Sequence, residues 1–292
     1  MHKKDKMMSI FFSLNGWIVI FILLGLSYML FINSYQAFRE IGLFAFFTQR
    51  VWNPTGYYES LYGTLPLIAG TGLVTLGSIA ISLPIGIASA VYLAEVALPW
   101  EREIIKPFIE LLSGVPSVVI GFFGLVVLNR LIAGAFQLSN GLNALNASIL
   151  LAFMSLPTII SIAEDALTAV PDEYRDASLA LGANRWQTIK SVTFPAAISG
   201  VAAGVLLGVG RAIGETMAVL MVAGNAIAFP KNMFSSVRTM TATIAIELGE
   251  VAFNTTHYYA LFAVGFILFV ITFFISLAAD VFLHRRREVD QP

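Results

Sequence analysis

Six runs of apolar residues, each long enough to cross a lipid bilayer, set the strongest limit on how this chain can fold. They cover residues 10–32, 65–94, 108–134, 147–169, 197–229 and 257–283. A transmembrane helix needs about 20 apolar residues. Of the 292 residues, 58% are hydrophobic and 12% are charged, which is more apolar surface than a water-soluble core can bury. The sequence therefore predicts an all-α, polytopic membrane protein with six transmembrane helices.

The positions of the basic residues predict that both termini lie in the cytoplasm. The first apolar run is too long for the core of a signal peptide, and no small-x-small cleavage site follows it before Asn33, so we expect it to remain as a membrane span. With the N-terminus inside, eleven basic residues fall on the cytoplasmic side and four or five fall outside. The inside set is Lys3, Lys4, Lys6, Arg102, Lys106, Arg175, Arg185, Lys190, Arg285, Arg286 and Arg287, and the outside set is Arg39, Arg50, Lys231 and Arg238, with Arg130 near the outer end of the third run.

The sequence offers little for covalent chemistry. It contains no cysteine, and its three histidines, His2, His257 and His284, are too scattered for a metal site. The usual hydrolase motifs, H-E-x-x-H and G-x-S-x-G, do not occur. We therefore expect no catalytic residues and no metal site, and an intramembrane enzyme is the least favoured class of function.

The polar segment between the fourth and fifth runs, residues 171–195, is predicted to form two short helices outside the membrane. Pro171 and the two acids after it favour a helix start, and Gly182 favours the end of that helix because glycine readily adopts a left-handed conformation. Asn184, with a glutamine three residues later, can cap a second short helix, and Pro195 can open the fifth span.

This polar segment is also a candidate docking element. It is longer than two neighbouring spans need, and the side chains of Tyr174, Leu181 and Trp186 suit a groove on a partner protein. A simple connector between two helices is the structural alternative.

The spacing within the segment resembles the cytoplasmic Glu-Ala-Ala loop of ABC importer permeases. The matching residues are Asp176, Ala177, Ser178, Gly182, Ile189 and Pro195, with Asp and Ser in place of the usual Glu and second Ala. In that family the loop docks into a cleft of the ATP-hydrolysing subunit and transmits its closure. The resemblance implies coupling to an ATPase through Glu173, Asp176, Ala177, Ser178, Gly182 and Trp186. Because this chain has no Walker-type phosphate loop, we expect that it binds no cofactor and that a separate subunit uses ATP.

Arg211 and Glu215 place two charges inside the fifth apolar run. Each charge costs roughly 2.5–3.5 kcal/mol at the centre of the bilayer. They are four residues apart, so one continuous helix would put them on one face, where each partly compensates the other. Intramembrane charges are typical of a solute path, and a guanidinium group suits a tetrahedral oxyanion. Glu215 would balance Arg211 in an empty path, whereas an ion pair that only fixes helix packing is the structural alternative.

The residues around this pair resemble the signature of the phosphate-specific ABC permeases. The matching string is Gly210, Arg211, Ala212, Ile213, Gly214, Glu215, Thr216, Met217, Ala218 and Val219, followed by Gly224 and Asn225. Met217 and Ala218 stand where the A-type subunit usually carries Ala-Pro, so the chain is more similar to the C-type subunit. Weaker matches elsewhere extend the resemblance over nearly the whole chain: Trp52, Asn53 and Pro54, then Tyr62 to Pro66, then Gly70 and Thr71, then Leu83, Pro84 and Gly86, then Pro116 and Ser117. It implies that Arg211, Glu215 and Thr216 line the substrate path.

The resemblance also implies a fold, a location and a set of partners. We expect the type I ABC importer permease (MetI-like) fold, in the cytoplasmic membrane of a prokaryote, importing inorganic phosphate. The expected partners are a homologous A-type permease, an ABC ATPase dimer and an extracytoplasmic phosphate-binding protein. Residues 1–64 would form the N-terminal tail, first span and external loop, residues 65–283 the permease domain with coupling loop 171–195, and residues 284–292 a cytoplasmic tail. An ABC permease for another oxyanion or small solute, and an ion-coupled secondary transporter, remain the alternatives.

Other charged and polar segments carry weaker expectations. We expect Glu164 and Asp165 to lie at a solvated end of the fourth span, because no histidine, lysine or metal set accompanies them in sequence. Glu247 and Glu250 are expected in the outer loop before the sixth span, either solvated or in contact with an extracytoplasmic binding protein. The aromatic-rich segment 33–64 suits a short lid or a shelf at the outer membrane interface.

Overall fold

The computed structural model describes the backbone of residues 3–289 and the side chains of residues 8–277. This part of the chain is mainly helical, with one antiparallel hairpin formed by β1 (Trp52–Asn53) and β2 (Leu61–Tyr62). The helices are α1 (Lys3–Ile41), α2 (Leu43–Thr48), α3 (Leu65–Val91), α4 (Pro99–Ser113), α5 (Ser117–Phe123), α6 (Asn129–Ala135), α7 (Ala144–Thr168), α8 (Asp172–Ala180), α9 (Arg185–Thr188), α10 (Phe194–Gly214), α11 (Met217–Val222), α12 (Met240–Glu247) and α13 (Thr256–Val289). Single π-helical turns continue α3, α5 and α9 at Tyr92–Val96, Gly124–Leu128 and Ile189–Thr193.

Some predictions concern residues at the two ends of the chain. The basic side chains at the two ends, which support the predicted orientation, lie outside the described residues. The same holds for the side chains of two of the three histidines and for the end of the predicted tail 284–292. These side chains are Lys3, Lys4, Lys6, Arg285, Arg286, Arg287, His2 and His284.

Within the described residues, six helical stretches are long and apolar enough to cross a membrane, which confirms the predicted number of spans. They are Met8–Ile41, Leu65–Val96, Ser117–Ala135, Ala144–Thr168, Arg185–Gly214 and Thr256–Leu277. The first, second, fourth and sixth contain most of the apolar run predicted for them. The third and fifth differ in ways that bear on function.

The third predicted run, residues 108–134, begins later than expected, at Ser117. Its first residues belong to α4, a separate amphipathic helix in which no residue is buried. Trp100 and Phe108 on this helix are 60% and 65% exposed. The break before the span has a local cause, because Pro116 is extended and a proline also disfavours helical backbone in the residue before it.

Helix α7 is the centre of the packing, between α3 and α10, and it is the most buried of the six spans. Glycines on both neighbouring helices allow close approach, since Gly86 of α3 and Gly208 of α10 each face Ile159 of α7. Ser155, also on α7, donates its hydroxyl hydrogen to the carbonyl oxygen of Gly208 at 3.3 Å. Small residues and interhelical hydrogen bonds are the usual means by which membrane helices associate. Helix α7 therefore fixes the positions of α3 and α10.

The segment 33–64 is anchored in the core and does not form a free lid or shelf. Helix α1 continues to Ile41, and α2 and the hairpin follow it. Phe46 and Trp52 are 0% and 1% exposed, and both pack in a cluster with residues of α13. Trp52 and Tyr62 are therefore core residues, whereas Tyr57 and Tyr58, between the two strands of the hairpin, are exposed.

Candidate substrate path and coupling surface

Arg211 lies in the last turn of α10 and is half-buried. Its Nη1 donates a hydrogen bond to the hydroxyl oxygen of Thr158 at 3.3 Å. Thr158 lies near the middle of α7, so the guanidinium group is held well inside the apolar part of the protein. Thr158 was missed in the sequence, and its only signal there is a hydroxyl beside Pro157, an intramembrane proline that frees a backbone carbonyl.

The guanidinium group of Arg211 retains capacity for another ligand. Among the described residues it forms no ion pair, and the hydrogen bond to Thr158 is its only one. The surface of α10 beside it is open: a side chain added at Gly210 or Gly214 would meet no atom within 4 Å, and Leu207 is 58% exposed. An arginine is permanently charged and carries five N–H donors, so most of its hydrogen-bonding capacity is unused.

The predicted continuous helix through Glu215 is wrong. Helix α10 ends at Gly214, and Glu215 has extended backbone, with ψ of 130°. Its carboxylate accepts a hydrogen bond from the backbone N–H of Ala218 at 3.2 Å, at the start of α11, and its carbonyl oxygen accepts one from the hydroxyl of Thr241 at 3.0 Å. Arg211 and Glu215 therefore do not share one helix face. They form no ion pair among the described residues, so the expected compensation of one charge by the other is not seen there.

Thr216 occupies the same break in the chain. It is half-buried, and its hydroxyl donates to the carbonyl oxygen of Gly214 at 3.3 Å. The break thus brings a carboxylate, a hydroxyl and irregular backbone together, four to five residues after Arg211. Irregular backbone at membrane depth is tolerated where it is buried in protein or lines a water-filled cavity.

Of the two short helices predicted for the polar segment, α8 is separate as expected, whereas α9 continues without a break, through the π-helical turn Ile189–Thr193, into α10 and so belongs to the fifth span. Gly182 between them has φ of +87°, the left-handed conformation expected of it. Asn184 caps α9 in the predicted manner: its side chain accepts from the backbone N–H of Gln187 at 2.9 Å, while the Gln187 side chain accepts from the Asn184 N–H at 2.8 Å. Pro195 was expected to open the fifth span, but it lies inside this continuous helical stretch, just after the π-helical turn.

The outer surface of this segment is almost wholly exposed. Tyr174, Leu181 and Trp186 are 57%, 90% and 66% exposed, which agrees with the expected outward direction of these side chains. The predicted coupling residues other than Ser178 are also exposed, namely Glu173, Asp176, Ala177, Gly182 and Trp186. Ser178 is half-buried, and its hydroxyl lies 3.0 Å from that of Thr188.

The ion pair between Arg175 and Glu95, at the predicted cytoplasmic side, was not predicted from the sequence. Arg175 of α8 turns inward and pairs with Glu95, in the π-helical turn that continues α3. The hydrogen bond to Glu95 raises the pKa of the Arg175 guanidinium more than burial lowers it. The two residues are 80 positions apart, so no local pattern marks them as partners.

The expectation of a solvated Glu164 is wrong. The side chain is 1% exposed and pairs with Arg102 and with Lys106, the latter at 2.6 Å, both from α4. Asp165, by contrast, is 65% exposed and binds Lys106 at 2.7 Å. Burial lowers the pKa of Lys106, but its hydrogen bonds to the two acids raise it more, so the net shift is upward. This cluster ties α4 to the end of α7.

Glu247 is likewise not a solvated loop residue. Its carboxylate accepts a hydrogen bond from the indole Nε1 of Trp52 at 3.0 Å and pairs with Arg238 at 2.9 Å. The Nε2 of His257 lies 2.8 Å from the same carboxylate. This cluster joins the hairpin to α12 and α13, which gives Glu247 and Arg238 a structural role, while Glu250 is exposed.

In the described part of the chain, no group of three or more His, Asp or Glu side chains is arranged to hold a metal ion. Arg211, Thr158, Glu215 and Thr216 are the candidate residues for contact with a solute. Their chemistry is that of reversible binding by charge and hydrogen bonds.

Comparison with known proteins identifies similar chains. Residues 82–288 match the family described as "Binding-protein-dependent transport system inner membrane component". The "Probable ABC transporter permease protein YqgH" of Bacillus subtilis (strain 168) is 39% identical over 258 residues, which cover 88% of this chain and 83% of that protein. The "Phosphate transport system permease protein PstC" of Mesorhizobium japonicum is 36% identical over 287 residues, which cover 92% of this chain and 86% of that protein.

A solved structure extends the likeness to the fold. A chain from the crystal structure of a bacterial ABC transporter involved in the import of the acidic polysaccharide alginate matches with a TM-score of 0.65. The match covers 99% of both chains at 16% sequence identity. At that identity the likeness establishes a shared fold and carries no information about the cargo.

Proposed function

Because this chain belongs to the family of binding-protein-dependent transport system inner membrane components, we propose that it is the permease subunit through which an ATP-driven importer moves inorganic phosphate across the cytoplasmic membrane. The family and the shared fold confirm a type I ABC permease with six spans, a multi-pass protein of that membrane. Such a permease is not an enzyme, since ATP is hydrolysed by a separate subunit of the importer.

The half-buried Arg211, with most of its donors unused, is the observation that carries the choice of cargo. Guanidinium groups bind phosphate oxygens through paired, charge-assisted hydrogen bonds. A buried cation without an acidic partner is costly, and it is typical of a site that a ligand completes. The relative from Mesorhizobium japonicum is named for phosphate transport, and it matches this chain along most of its length.

The proposed path uses the break in the helix after Arg211. Phosphate would meet Arg211 and Thr158, while the nearby Glu215 and Thr216 set how tightly it is held. Conduction needs a site that attracts the anion without trapping it, and a carboxylate a few residues from the guanidinium lowers the affinity. The hydrogen bond from the backbone N–H of Ala218 holds the Glu215 carboxylate at the start of α11, beside this break.

The importer as a whole needs an ATPase and an extracytoplasmic binding protein beside the permease. We further propose that the second permease is a homologous A-type subunit, that this chain is the C-type subunit, and that both of its termini are cytoplasmic. The open surface of α10 at Leu207, Gly210 and Gly214 is available to a second permease. The exposed surface of α8 and α9, with Glu173, Asp176, Ala177, Gly182 and Trp186, is available to the ATPase.

In this mechanism, closure of the ATPase dimer moves the α8–α9 segment and rocks the two permeases from an inward-facing to an outward-facing arrangement. The binding protein then delivers phosphate to the path, and the return movement releases it to the cytoplasm. Each step changes the access to Arg211, and no covalent bond is made or broken by this chain.

Uptake in cells tests the cargo. The chain is expressed with its partner subunits in cells that lack other high-affinity phosphate uptake, and labelled phosphate uptake is measured with excess unlabelled phosphate or sulfate. We expect phosphate to compete and sulfate to have little effect. Competition by sulfate, or uptake of another solute in place of phosphate, would show that the chain serves a different cargo.

A further inference from the structure

The end of α3 is held by both short helices of the α8–α9 segment, and one residue, Glu95, receives both contacts. Arg175 of α8 donates from Nη2 and Nε to the Glu95 Oε1 atom at 2.8 and 3.1 Å. Arg185 of α9 donates to the backbone carbonyl oxygen of Glu95. The two arginines therefore attach both α8 and α9 to one position on a membrane-spanning helix.

Arg175 is the part of α8 that faces the membrane domain. The side chains along α8 are exposed except for Arg175 and Ser178, which are half-buried. Besides Glu95, the Arg175 guanidinium donates to the carbonyl oxygens of Val170 at 2.6 Å and Leu167 at 2.9 Å, at the end of α7. One side chain thus holds α8, α7 and α3 together.

The geometry makes this contact stiff. The Arg175 side chain is 18% exposed and that of Glu95 is 7% exposed, so water screens the pair poorly. A planar guanidinium with several hydrogen bonds cannot slide along its partners as an ammonium group can. A displacement of α8 is therefore passed to α3 and α7 as a displacement, because the contact does not absorb it by changing rotamer.

The same helices lead to the candidate substrate site. Gly86 of α3 packs directly against Ile159 of α7, and the adjacent Thr158 holds Arg211. Close-packed interiors pass on small shifts because they have little free volume. A movement that enters α3 or α7 at Glu95 and Arg175 can reach the Arg211 site along this packed row.

We propose that the Arg175–Glu95 pair is the tie that carries movement of the α8–α9 segment into the membrane helices, which makes both of them positioning residues for transport. The inference rests on the proposed function, since it supposes that an ATPase drives that segment. It predicts that weakening the pair separates ATP hydrolysis from solute movement. A residue that only stabilised the fold would lower both in proportion.

The test uses the complete importer in proteoliposomes, comprising this chain, its partner permease, the ATPase and the binding protein. One variant is Glu95→Gln, which keeps the shape of the side chain and an acceptor oxygen but removes the charge. The other is Arg175→Lys, which keeps the charge but loses the planar, multiple N–H donors of the guanidinium group. Asp172→Asn is the matched control, because Asp172 also binds Arg175, at 3.0 Å, yet its side chain is 91% exposed. Recovery of the ATPase with the complex, ATP hydrolysis and uptake of labelled phosphate are measured for each protein.

For Glu95→Gln and Arg175→Lys we expect the ATPase to remain bound and its basal hydrolysis, measured without the binding protein, to stay within about twofold of wild type. Phosphate moved per ATP in the complete importer should fall about tenfold. Asp172→Asn should match the wild type. An unchanged ratio of uptake to hydrolysis in both pair variants overturns the inference. Loss of the ATPase from the complex, with hydrolysis and uptake falling together, overturns it as well, because the pair would then only shape the docking surface.

The wild-type protein separates this inference from the choice of cargo. If the wild type hydrolyses ATP but moves no phosphate, the proposed cargo is wrong. The role of the Arg175–Glu95 pair is then tested by the stimulation of ATP hydrolysis on adding the binding protein. That stimulation depends on communication through the permease. We expect it to be lost in Glu95→Gln and kept in Asp172→Asn, and equal stimulation in the two variants would refute the tie.

Discussion

Replacing Arg211 is the perturbation whose size the structure defines best. The group makes one hydrogen bond to protein, to Thr158, which leaves its remaining donors for cargo. A hydrogen bond to a charged group contributes about 1.5–3 kcal/mol, and each 1.4 kcal/mol is about a factor of ten. Loss of two such bonds to a phosphate oxyanion in Arg211→Ala should therefore reduce uptake at subsaturating phosphate by about a hundredfold or more. Arg211→Lys keeps the charge but loses the paired geometry, so we expect about a tenfold reduction.

The same geometry predicts that the variant still folds. Among the described residues no carboxylate pairs with Arg211, so its removal leaves no buried acid uncompensated. The assay is initial-rate uptake of labelled phosphate by cells, normalised to the amount of importer in the membrane. Arg130→Ala, at an exposed position on α6, is the matched control and should behave as wild type. Uptake by Arg211→Ala within about twofold of the control would refute the idea that this residue contacts the cargo.

Three further predictions concern the ion-pair cluster between α4 and α7 and the turn between α8 and α9. Glu164→Ala should lower the free energy of unfolding by about 3 kcal/mol, which is the lower end for a broken buried ion pair, because Arg102 and Lys106 keep access to water. In the same denaturation assay, Asp165→Ala should change the free energy of unfolding by less than about 1 kcal/mol. The folded-state pKa of Lys106 is raised, so the stabilisation by Lys106 is complete below its unfolded pKa of about 10.4 and disappears as the pH rises through its folded-state pKa. Wild type should therefore lose its stability advantage over Lys106→Met only in strong alkali. Loss of that advantage already at pH 8 would contradict this prediction. Gly182 has φ of +87°, a left-handed conformation that costs alanine about 1 kcal/mol but that asparagine tolerates. Gly182→Ala should therefore distort the turn between α8 and α9 and weaken recovery of the ATPase with the complex, whereas Gly182→Asn should not. Equal recovery of the ATPase with the two variants would show that this backbone conformation is unimportant.

The features that could be predicted from the sequence are those with a local cause. The number of spans follows from apolar runs, each of which must satisfy its own backbone hydrogen bonds. The turn at Gly182 and the cap formed by Asn184 and Gln187 depend on residues within one or two turns of each other, and the structure confirms them.

The features that escaped prediction depend on contacts between distant parts of the chain. The apolar character continues past Glu215, so nothing local marks the helix end there, and the hydroxyl of Thr241 that binds its carbonyl oxygen lies 26 residues away. Glu164 looked solvated because its cations, Arg102 and Lys106, are about 60 residues earlier, on a helix that resembled the start of a span. Burial of a charge is decided by its partners, and distant partners cannot be recognised in a single sequence.

Thr158 shows the same limit at the substrate site. The sequence indicated Arg211 because an intramembrane cation is rare, but a hydroxyl on a neighbouring helix is not. Only the packing of α10 on α7, through Gly204 and Gly208, reveals which α7 side chain meets the guanidinium group.

The most direct test of the whole account is the energy source for phosphate uptake by the purified importer. Proteoliposomes that contain this chain with its partner permease, ATPase and binding protein are loaded with ATP and Mg²⁺, or with no nucleotide under an imposed ion gradient, and labelled phosphate uptake is followed. We predict uptake with ATP, none with the gradient alone, and none from vesicles that contain only this chain. Gradient-driven phosphate uptake by this chain alone would contradict the account, because it would assign the chain to the secondary transporters.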